Sequence, residues 1–544
     1  MFFSFVPFLL SFWFVRSIKY ILFWVYLWQL KQYHIGRFLA HFKTENGKTL
    51  IRQPLQIFKT FLFIIASICA LFFQGNYLLI LPPLLFLIYF LESLLYFRKI
   101  FSGKTKHPKL TKKTGFLILI SLLVFITFPL LVWTITKDIF WFTLIVLALD
   151  ILLPVVVSIV VLIFQPIADH YRLSLQKKAK EKLKNFKNLT IIAITGSYGK
   201  TSTKEYLTAI LSSKFKVLST KEHQNTELGI PLCILNELKP EHEIFIVEMG
   251  AYDKGTIKRI CDFVKPEIGI VTGVNAQHLS LFGSIDNLLS AEGGWELLQS
   301  LPIDGLLVVN GENEYCMELY RKADVKKIAY RLDEKLSSFV KTSDGQVKNI
   351  DIRKNFASFS IDDIDFKVDV LGRHNVLNLL GAILVSKELG MSLKEIEKAS
   401  ERITEKNSSF KVAKNKDGVF VINSTYSSNP DGVVADLEYL KLYSGNPPSP
   451  TGFGRARKII VMPCLIELGD KAKEVHQKIG KKISEVCDLA IITTKEYYVE
   501  MKSPRAHLIE RPQEIVAKIK EFTQAGDAVL LEGRLPKEII DLLK

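Results

Sequence analysis

The first 166 residues contain long apolar stretches, and these limit what this part of the chain can fold into. The stretches cover roughly residues 2–30, 57–73, 78–97 and 116–165. A helix needs about 20 apolar residues to cross the hydrocarbon core of a bilayer. Because Lys137-Asp138 divides the last stretch in two, the sequence predicts a membrane-spanning helical region of about five spans over residues 1–170.

The charges between the apolar stretches predict their orientation. Lysines and arginines fill the connections at 31–52 and 98–113 and also residues 171–188, which follow the last stretch. Cytoplasmic loops carry an excess of such residues. The connections near Gln74-Gly75-Asn76 and at Lys137-Asp138 are short and nearly uncharged, so the chain returns to the same side. We therefore expect a multi-pass protein of the cytoplasmic membrane, with 171–188 as a basic linker and the rest in the cytoplasm.

Composition supports membrane lipid, and not nucleic acid, as the partner of this basic chain. The formal charge is +16 and 49% of the residues are hydrophobic. Basic flanks beside apolar spans account for that charge without a nucleic-acid surface. The six cysteines lie far apart, which argues against a disulfide framework or a zinc ribbon.

Two acidic residues, Glu92 and Asp150, lie inside or at the edge of apolar stretches. An ionisable group in such a place is costly and is by default a functional candidate, for example in a transport or substrate path. The alternative is that both carboxylates are simply solvated near the ends of the spans.

A strand, a glycine-containing turn and a helix follow the linker. Leu189 to Ile194 is typical of a short buried strand, and the helical run begins near Thr203. Backbone N–H groups of such a turn can surround a phosphate, a lysine supplies a cation and a threonine hydroxyl can ligate Mg²⁺. The pattern G-x-x-x-x-G-K-[ST] has Ile194 at its first glycine, so this is a shortened variant. The predicted nucleotide-binding residues are Thr195, Gly196, Ser197, Gly199, Lys200, Thr201 and Ser202.

The short form T-G-S-x-G-K-T-S resembles the phosphate loop of the Mur ligase family. Tyr198 and the following Thr203-Lys204-Glu205 are most similar to the members that add D-alanyl-D-alanine, and the resemblance continues to the carboxy terminus. It implies an ATP- and Mg²⁺-dependent ligase that forms an amide through an acyl phosphate. It also implies a P-loop central ATPase domain at 189–405 and a C-terminal Rossmann-like domain at 406–544, so the fold class is an α-helical membrane region followed by α/β.

The resemblance implies roles for residues after the loop. Asn225 lies in a segment similar to the family's N-x-x-x-G-x-P and would contact the nucleotide. Glu248 ends the apolar run Ile244 to Val247, and the resemblance makes it a Mg²⁺ ligand together with His278 and Thr201. Family members commonly carry a carbamylated lysine about fourteen residues after that histidine. Glu292 occupies this place and is predicted to supply carboxylate oxygens instead, as a catalytic residue beside Lys200.

Later segments extend the predicted site. Asn310 and Asn313 resemble a strand-end segment that contacts the nucleotide. Gly372-Arg373-His374-Asn375 resembles G-R-H-N, which makes His374 catalytic and Asn375 nucleotide-binding, unless both simply begin a helix. Tyr426 and Asn429 match Y-N-A-N-P and are predicted to bind substrate.

The carboxy-terminal part departs from the family pattern at two places. The aspartate pair that usually precedes the tyrosine is Asn423-Ser424 here, and the late K-G-S-R-like segment reads Glu532-Gly533-Arg534. Both changes put in doubt the contacts of this domain with nucleotide and amine. From about residue 408, strands and helices alternate, which favours a doubly wound domain. The Pro- and Gly-rich stretch 444–450 is predicted to be a surface excursion.

The predicted function is MurF-like: addition of D-Ala-D-Ala, an amino acid or a dipeptide to a peptidoglycan precursor at the cytoplasmic membrane face. The precursor is UDP- or lipid-linked, because membrane spans stand in place of the amino-terminal domain with which the resembled enzymes hold a UDP-sugar peptide. Two alternatives stay open. One is a membrane amide ligase of the poly-γ-glutamate type, and the other is a non-enzymatic nucleotide-binding scaffold or transport protein.

Overall fold

The computed structural model describes residues 6–42, 45–72, 80–101, 105–221, 224–332, 347–404, 410–426, 428–443 and 456–542. The chain forms two compact units, Met1–Tyr171 and Arg172–Lys544. The predicted connection at 74–76 and the predicted surface excursion at 444–450 lie outside the described residues.

The first unit is built from helices. They are α1 (Val6–Leu30), α2 (Ile35–His41), α3 (Glu45–Ile51), α4 (Pro54–Phe72), α5 (Leu81–Phe101), α6 (Lys112–Thr136) and α7 (Ile139–Leu183). Lys137 ends α6 in the left-handed conformation, with φ 46°, so the division predicted at Lys137-Asp138 is present. The end of α7 belongs to the second unit, and the predicted basic linker is therefore helical as far as Leu183.

Among the described residues, four helices are long and apolar enough to cross a membrane by length and composition: Pro7–Leu30, Gly47–Phe72, Lys112–Thr136 and Ile139–Leu183. The helix α5 has 21 residues but is not among these four. The number and orientation of spans therefore stay predictions.

Four charged side chains from four helices meet inside the first unit. Arg16 of α1, Lys59 of α4, Glu92 of α5 and Asp150 of α7 are each no more than 5% exposed. Arg16 Nε lies 3.0 Å from Glu92 Oε2, and Lys59 Nζ lies 3.0 Å from Asp150 Oδ2. Arg16 also contacts Asp150, and Lys59 contacts Glu92. The alternative that Glu92 and Asp150 are solvated is therefore wrong, because both are buried and paired with cations.

The second unit contains all the described strands. The strands are β1 (Thr190–Thr195), β2 (Val217–Ser219), β3 (Ile244–Glu248), β4 (Ile268–Val271), β5 (Leu306–Asn310), β6 (Lys326–Tyr330), β7 (Val347–Ile352), β8 (Ala357–Ile361), β9 (Ile364–Val368), β10 (Lys411–Lys414), β11 (Phe420–Ser424), β12 (Lys458–Met462), β13 (Leu489–Ile492), β14 (Ala506–Leu508) and β15 (Ala528–Glu532).

Its helices alternate with the strands. They are α8 (Lys200–Leu211), α9 (Gly229–Glu237), α10 (Thr256–Val264), α11 (Leu279–Phe282), α12 (Ile285–Ala291), α13 (Trp295–Leu298), α14 (Glu314–Lys322), α15 (Arg373–Glu388), α16 (Leu393–Ser400), α17 (Pro430–Leu440), α18 (Ala472–Val486), α19 (Tyr498–Met501), α20 (Pro512–Phe522) and α21 (Lys537–Leu542). The helical run predicted to begin near Thr203 lies within α8.

Twelve of these strands form two six-stranded sheets. The first is parallel in the order β2-β3-β1-β4-β5-β6, and the second has the order β10-β11-β15-β12-β13-β14 with only β10 antiparallel. In the first sheet Ile194 of β1 pairs with Glu248 of β3, and Thr195 pairs with Val271 of β4. The carboxyl ends of three neighbouring strands therefore meet at one edge, where ligands bind in open α/β sheets.

Apolar residues pack on both faces of each sheet, as expected for strands covered by helices on two sides. The predicted alternation of strands and helices after residue 408 is confirmed by the second sheet. The antiparallel sheet β7-β8-β9 was not predicted. Its tight turn contains Asp362 and Asp363, both with positive φ.

Candidate active site

The loop between β1 and α8 depends on two glycines. Gly196 and Gly199 have φ angles of 138° and 78°, which favour glycine. A Cβ atom at Gly199 would lie 2.6 Å from Asn378 Oδ1 of α15, so a side chain there would meet a neighbouring helix. Gly199 ends the loop at the N-terminus of α8, where the first N–H groups have no partner within the helix. Lys200 folds back over the loop and donates a hydrogen bond to the Gly196 carbonyl.

Glu248 is held beside this loop by several donors. Thr201 Oγ1 donates to Glu248 Oε2 at 3.0 Å, and Asn225 Nδ2 donates to Oε1 at 2.9 Å. The Glu248 N–H donates to Thr220 Oγ1 at 3.1 Å. Lys204 Nζ lies 3.4 Å from Glu248 Oε2, on a side chain that is fully buried. The carboxylate predicted from the end of the strand thus faces the threonine of the loop.

The oxygens of Thr201 and Glu248 fit a Mg²⁺ ion. Within the described ranges, no group of three or more His, Cys, Asp or Glu side chains is placed to hold a metal. Mg²⁺ does not need such a cage, since it is usually bound through one or two carboxylates, water and substrate phosphates. Lys204 Nζ also lies 3.2 Å from Glu205 Oε1, so its ammonium is shared between two carboxylates beside this place.

Glu292 lies at the end of α12, and its buried carboxylate contacts the phosphate loop. Ser197 Oγ donates to Glu292 Oε2 at 2.7 Å, and His278 Nδ1 lies 3.0 Å from Oε1. Burial pushes the pKa of Glu292 up, but the charges of His278 and Lys200 and the hydrogen bonds from His278 and Ser197 together hold it below the usual value. The carboxylate therefore stays ionised beside the loop.

His278, predicted as a Mg²⁺ ligand, is placed against two other carboxylates. It has φ 65°, and its Nε2 lies 3.8 Å from Glu467 Oε2, in a segment that also resembles the family pattern. The carboxylates beside its imidazole ring are those of Glu292 and Glu467, and not that of Glu248. A role as metal ligand stays a prediction.

The two sheets of the second unit are joined next to the loop by Asn275. Its N–H donates to Ser197 Oγ at 3.3 Å. Its side-chain amide donates to Asn429 Oδ1 at 3.0 Å and to Asp431 Oδ2 at 2.9 Å, both at the start of α17. Asn429 also caps α17 by accepting from the Gly432 N–H. The residue predicted to bind substrate therefore also joins the two sheets.

Three predicted nucleotide contacts have local partners. Asn310 Nδ2 donates to the Thr272 carbonyl at 2.9 Å, and Asn375 Nδ2 donates to the Leu371 carbonyl at 2.9 Å. Asn313 caps α14 and donates to the Val274 carbonyl at 2.8 Å. These amides brace the loops around the site. The structure gives no direct reason to assign them to nucleotide.

The remaining predicted residues lie where the two sheets meet. His374, on the first turn of α15, has Nε2 3.8 Å from Asp436 Oδ1 of α17. Burial lowers the pKa of His374, although the charge of Asp436 acts against this. Tyr426 follows β11 and is exposed. Ser202, the last predicted loop residue, lies in the first turn of α8.

Sequence reasoning missed several residues of the site. Thr220 supports Glu248, Asn275 joins the sheets, and Asn378 packs on Gly199. Asp436, on α17, was missed as well. A sequence signal for Asn275 was available, because it stands three residues before His278, which was predicted. Nothing local distinguishes Asp436, which faces residues far away in the sequence.

Two family models match this part of the chain. Residues 194–386 match the Mur ligase middle domain, and residues 410–535 match the Mur ligase glutamate ligase domain. Together the two matches cover more than half of the chain, in the order expected for these enzymes. The chain belongs to the Mur ligase family. Residues 1–193 lie outside both matches.

Curated relatives of this Mur ligase carry one name, UDP-N-acetylmuramoyl-tripeptide–D-alanyl-D-alanine ligase. The relative from Synechocystis is 28% identical over 352 residues, which are 63% of this chain and 72% of that protein. The relative from Bacillus subtilis is 24% identical over 389 residues, 70% of this chain and 80% of that protein. The relative from Borreliella burgdorferi is 31% identical over 317 residues, 56% of this chain and 62% of that protein.

Solved structures show the same fold. MurF from Acinetobacter baumannii has a TM-score of 0.60 and 23% identity, covering 68% of this chain and 80% of that one. MurF from Thermotoga maritima, solved in complex with ADP, has a TM-score of 0.58 and 24% identity, covering 68% and 83%.

As a Mur ligase, the protein is an ATP-dependent, amide-forming ligase that uses ATP with Mg²⁺. This sets aside the alternative of a non-enzymatic scaffold. The two matched domains correspond to the two sheets of the second unit, and the phosphate loop lies at the edge of the first of them.

Proposed function

We propose that this Mur ligase joins D-alanyl-D-alanine to the peptide of a UDP-N-acetylmuramoyl-tripeptide or of its lipid-linked equivalent. The observation that carries the proposal is the loop of residues 195–202 together with Glu248, held by Thr201 and Asn225. The names of the curated relatives support the choice of D-alanyl-D-alanine and of a muramoyl peptide.

ATP with Mg²⁺ supplies the phosphoryl group that activates a substrate carboxylate as an acyl phosphate. The chain's own residues position and stabilise. The N–H groups at the start of α8 and the Lys200 ammonium would bind the phosphates, while Thr201 and Glu248 would hold the metal. Fixed donors of this kind stabilise charge without reorganising during the reaction.

The second sheet excludes water from the acyl phosphate. Asn275 and its partners at the start of α17 hold this sheet against the loop. Exclusion of water prevents hydrolysis of a reactive intermediate, so that the amine is the group that attacks.

We further place the reaction at the cytoplasmic face of the cell membrane. Support comes from the four long apolar helices before the matched domains and from the basic residues that flank them. Residues 1–193 match neither Mur ligase model, and the helices in this region would bring the ligase to a precursor that carries a lipid.

Mass spectrometry of the reaction products tests both parts. Full-length protein in lipid nanodiscs is incubated with ATP, Mg²⁺ and D-Ala-D-Ala, and with either UDP-N-acetylmuramoyl-tripeptide or lipid-linked tripeptide. The expected product is the pentapeptide, formed at least tenfold faster on the lipid-linked substrate. Equal rates on both substrates overturn the lipid part alone. Product with glutamate but none with D-Ala-D-Ala overturns the proposed amine and supports the poly-γ-glutamate alternative.

A further inference from the structure

Two acidic side chains share a buried position at the carboxyl end of the second sheet. Asp436 of α17 is 3% exposed, and Glu532, the last residue of β15, is 1% exposed. The two carboxyl groups contact each other and also approach Ser424, which pairs with Glu532 across β11 and β15. In the part of the chain that the structure describes, neither carboxyl group forms an ion pair with a lysine or arginine.

Several polar atoms around this pair have no partner. Asp436 Oδ1 and Glu532 Oε2 are buried and lack a hydrogen-bond donor among the described residues. The same is true of His374 Nδ1 and Ser428 Oγ. Buried polar atoms are almost always hydrogen-bonded, so the unpaired carboxyl oxygens of Asp436 and Glu532 indicate a missing donor. A fold does not need two buried carboxyl groups without a cation, which distinguishes the pair from a structural ion pair.

The pair lies next to the phosphate loop by two independent routes. Along α15, Asn378 packs on Gly199 of the loop, and His374, one turn earlier on the same helix face, approaches Asp436. Along the other route, Ser197 of the loop accepts from Asn275, which holds Asn429. Ser428, directly before Asn429, approaches Glu532. The carboxyl pair is thus within the same site as the loop.

We propose that Asp436 and Glu532 bind the ammonium group of the incoming amine, with His374 positioning Asp436. This inference rests on the proposed ligase function and adds the group by which the amine is held. An ammonium has three donors and a positive charge, which match two carboxyl groups with unpaired oxygens. Glu532 also stands where the resembled K-G-S-R-like segment has a lysine. The position therefore selects the cationic end of the amine, and not its carboxylate.

The same pair can accept the proton that the amine must lose. Burial and the neighbouring Asp436 raise the pKa of Glu532 well above its usual value, and burial raises that of Asp436 against the charge of His374. The ammonium transfers a proton to a carboxylate. Its freed lone pair then forms the C–N bond with the acyl carbon, as the bond from that carbon to the phosphate oxygen breaks. The nitrogen loses its second proton to the departing phosphate, which leaves as hydrogen phosphate. The groups facing the pair are His374, Ser424 and Ser428.

Two analogues of the dipeptide test the subsite on the unaltered protein. N,N-dimethyl-D-Ala-D-Ala keeps the positive charge, whereas N-acetyl-D-Ala-D-Ala is neutral at that nitrogen. Calorimetry on the full-length protein in nanodiscs, with Mg²⁺ and a non-hydrolysable ATP analogue, measures both dissociation constants. We expect the cationic analogue to bind at least tenfold more tightly. Equal affinity, or no binding of the cationic analogue, overturns the subsite.

A variant of Glu532 then tests whether this residue causes the preference for the cationic analogue. Glu532→Gln keeps the shape of the side chain, and we expect it to reduce the preference for the cationic analogue to less than twofold. In ligation assays it should raise KM for the amine at least tenfold and leave KM for ATP within twofold. Glu438→Gln is the matched control, because Glu438 lies on α17 but is exposed and pairs with Lys441 and Lys482. A Glu532→Gln protein that keeps the tenfold preference overturns the proposal.

The two experiments separate the subsite from the proposed function. Protein that ligates D-Ala-D-Ala but binds both analogues equally refutes the subsite and leaves the function. Protein that forms no D-Ala-D-Ala product, yet loses its preference for the cationic analogue in Glu532→Gln, refutes the function and supports the subsite.

Discussion

Buried charges occur in both units, but they are arranged differently. In the helical unit, Arg16 and Lys59 face Glu92 and Asp150, so that two cations meet two anions. In the α/β unit, the buried pair Asp436 and Glu532 has no cationic partner of its own beyond a histidine 3.8 Å away. A charge taken out of water needs a partner. The helical unit places an opposite charge from its own helices beside each buried charge, whereas the pair Asp436 and Glu532 has no lysine or arginine beside it among the described residues.

The buried ion pairs of the helical unit stabilise the fold, whereas the carboxyl pair of the α/β unit can bind a ligand. Closed ion-pair networks are sensitive to the loss of one member, since an unpaired buried charge remains. Open clusters should tolerate substitution and lose function first. Substitutions in the charged quartet of the helical unit, which is defined as Arg16, Lys59, Glu92 and Asp150, should therefore lower stability. Substitutions around the phosphate loop should instead lower the rate of ligation.

The largest effect is expected from breaking the quartet. Lys59→Met leaves Glu92 and Asp150 with Arg16 alone, and loss of one partner of a buried pair costs about 3–5 kcal/mol. The expected result is a lower thermal midpoint of the helical unit, measured by circular dichroism in detergent micelles.

A double substitution distinguishes charge balance from lost packing. Lys59→Met with Glu92→Gln removes one cation and one anion, and should recover at least half of the lost stability. Lys19→Met is the control, since Lys19 lies half-buried on the same helix as Arg16. A double variant as unstable as Lys59→Met would show that the side-chain volume, and not the charge, matters.

Lys200→Met should show the opposite behaviour. Lys200 donates to the Gly196 carbonyl of its own loop and its charge acts on Glu292, so its loss should lower the thermal midpoint much less than loss of Lys59. Loss of one preorganised group that stabilises developing charge costs roughly 10²–10³-fold in rate, or about 2.7–4 kcal/mol. Amide formation is measured by mass spectrometry and phosphate release, with the exposed Lys187→Met as control. A variant that ligates within fivefold of the wild type would remove Lys200 from the catalytic groups.

The sequence predicted what is local along the chain. The strand, loop and helix around Gly196 and Gly199 follow from apolar periodicity and glycine, and Glu248 was identified because it ends an apolar strand. Counting fourteen residues from His278 reached Glu292, which does contact the loop through Ser197. The substitution of a carboxylate for a carbamate stays a prediction.

What escaped prediction depends on distant contacts. Asp436 of α17 contacts Glu532 at the end of β15, and His374, which was itself predicted, approaches Asp436 from α15; these contacts join segments far apart in the sequence. The hairpin between β8 and β9 was missed because its turn is Asp362-Asp363, and aspartate pairs are a weaker signal than Asn-Gly or Asp-Gly. The asparagines at 310, 313 and 375 donate to backbone carbonyls, and their predicted contacts with nucleotide stay predictions.

Ser197→Ala should lower both the stability and the rate of ligation. Ser197 donates to buried Glu292 and accepts from the Asn275 N–H, so its loss leaves both unpaired. An unsatisfied buried group costs about 1–3 kcal/mol. We expect a lower thermal midpoint together with a roughly tenfold slower ligation, a size that follows from about 1.4 kcal/mol per factor of ten. Ser213→Ala, at the end of α8, should change neither. Normal activity of Ser197→Ala would place Glu292 outside the catalytic group.

The smallest effect is expected from Asn313→Ala, and it decides between a nucleotide contact and a brace. Asn313 caps α14 through Oδ1 and donates to the Val274 carbonyl. Loss of an N-cap costs about 1 kcal/mol of stability, and a brace predicts that KM for ATP changes by less than about threefold. Asn313→Asp keeps the capping oxygen and should recover most of the stability. If Asn313→Ala instead raises KM for ATP tenfold at unchanged stability, then Asn313 contacts nucleotide. An amide of the α/β unit that is hydrogen-bonded within the protein would then also bind ligand.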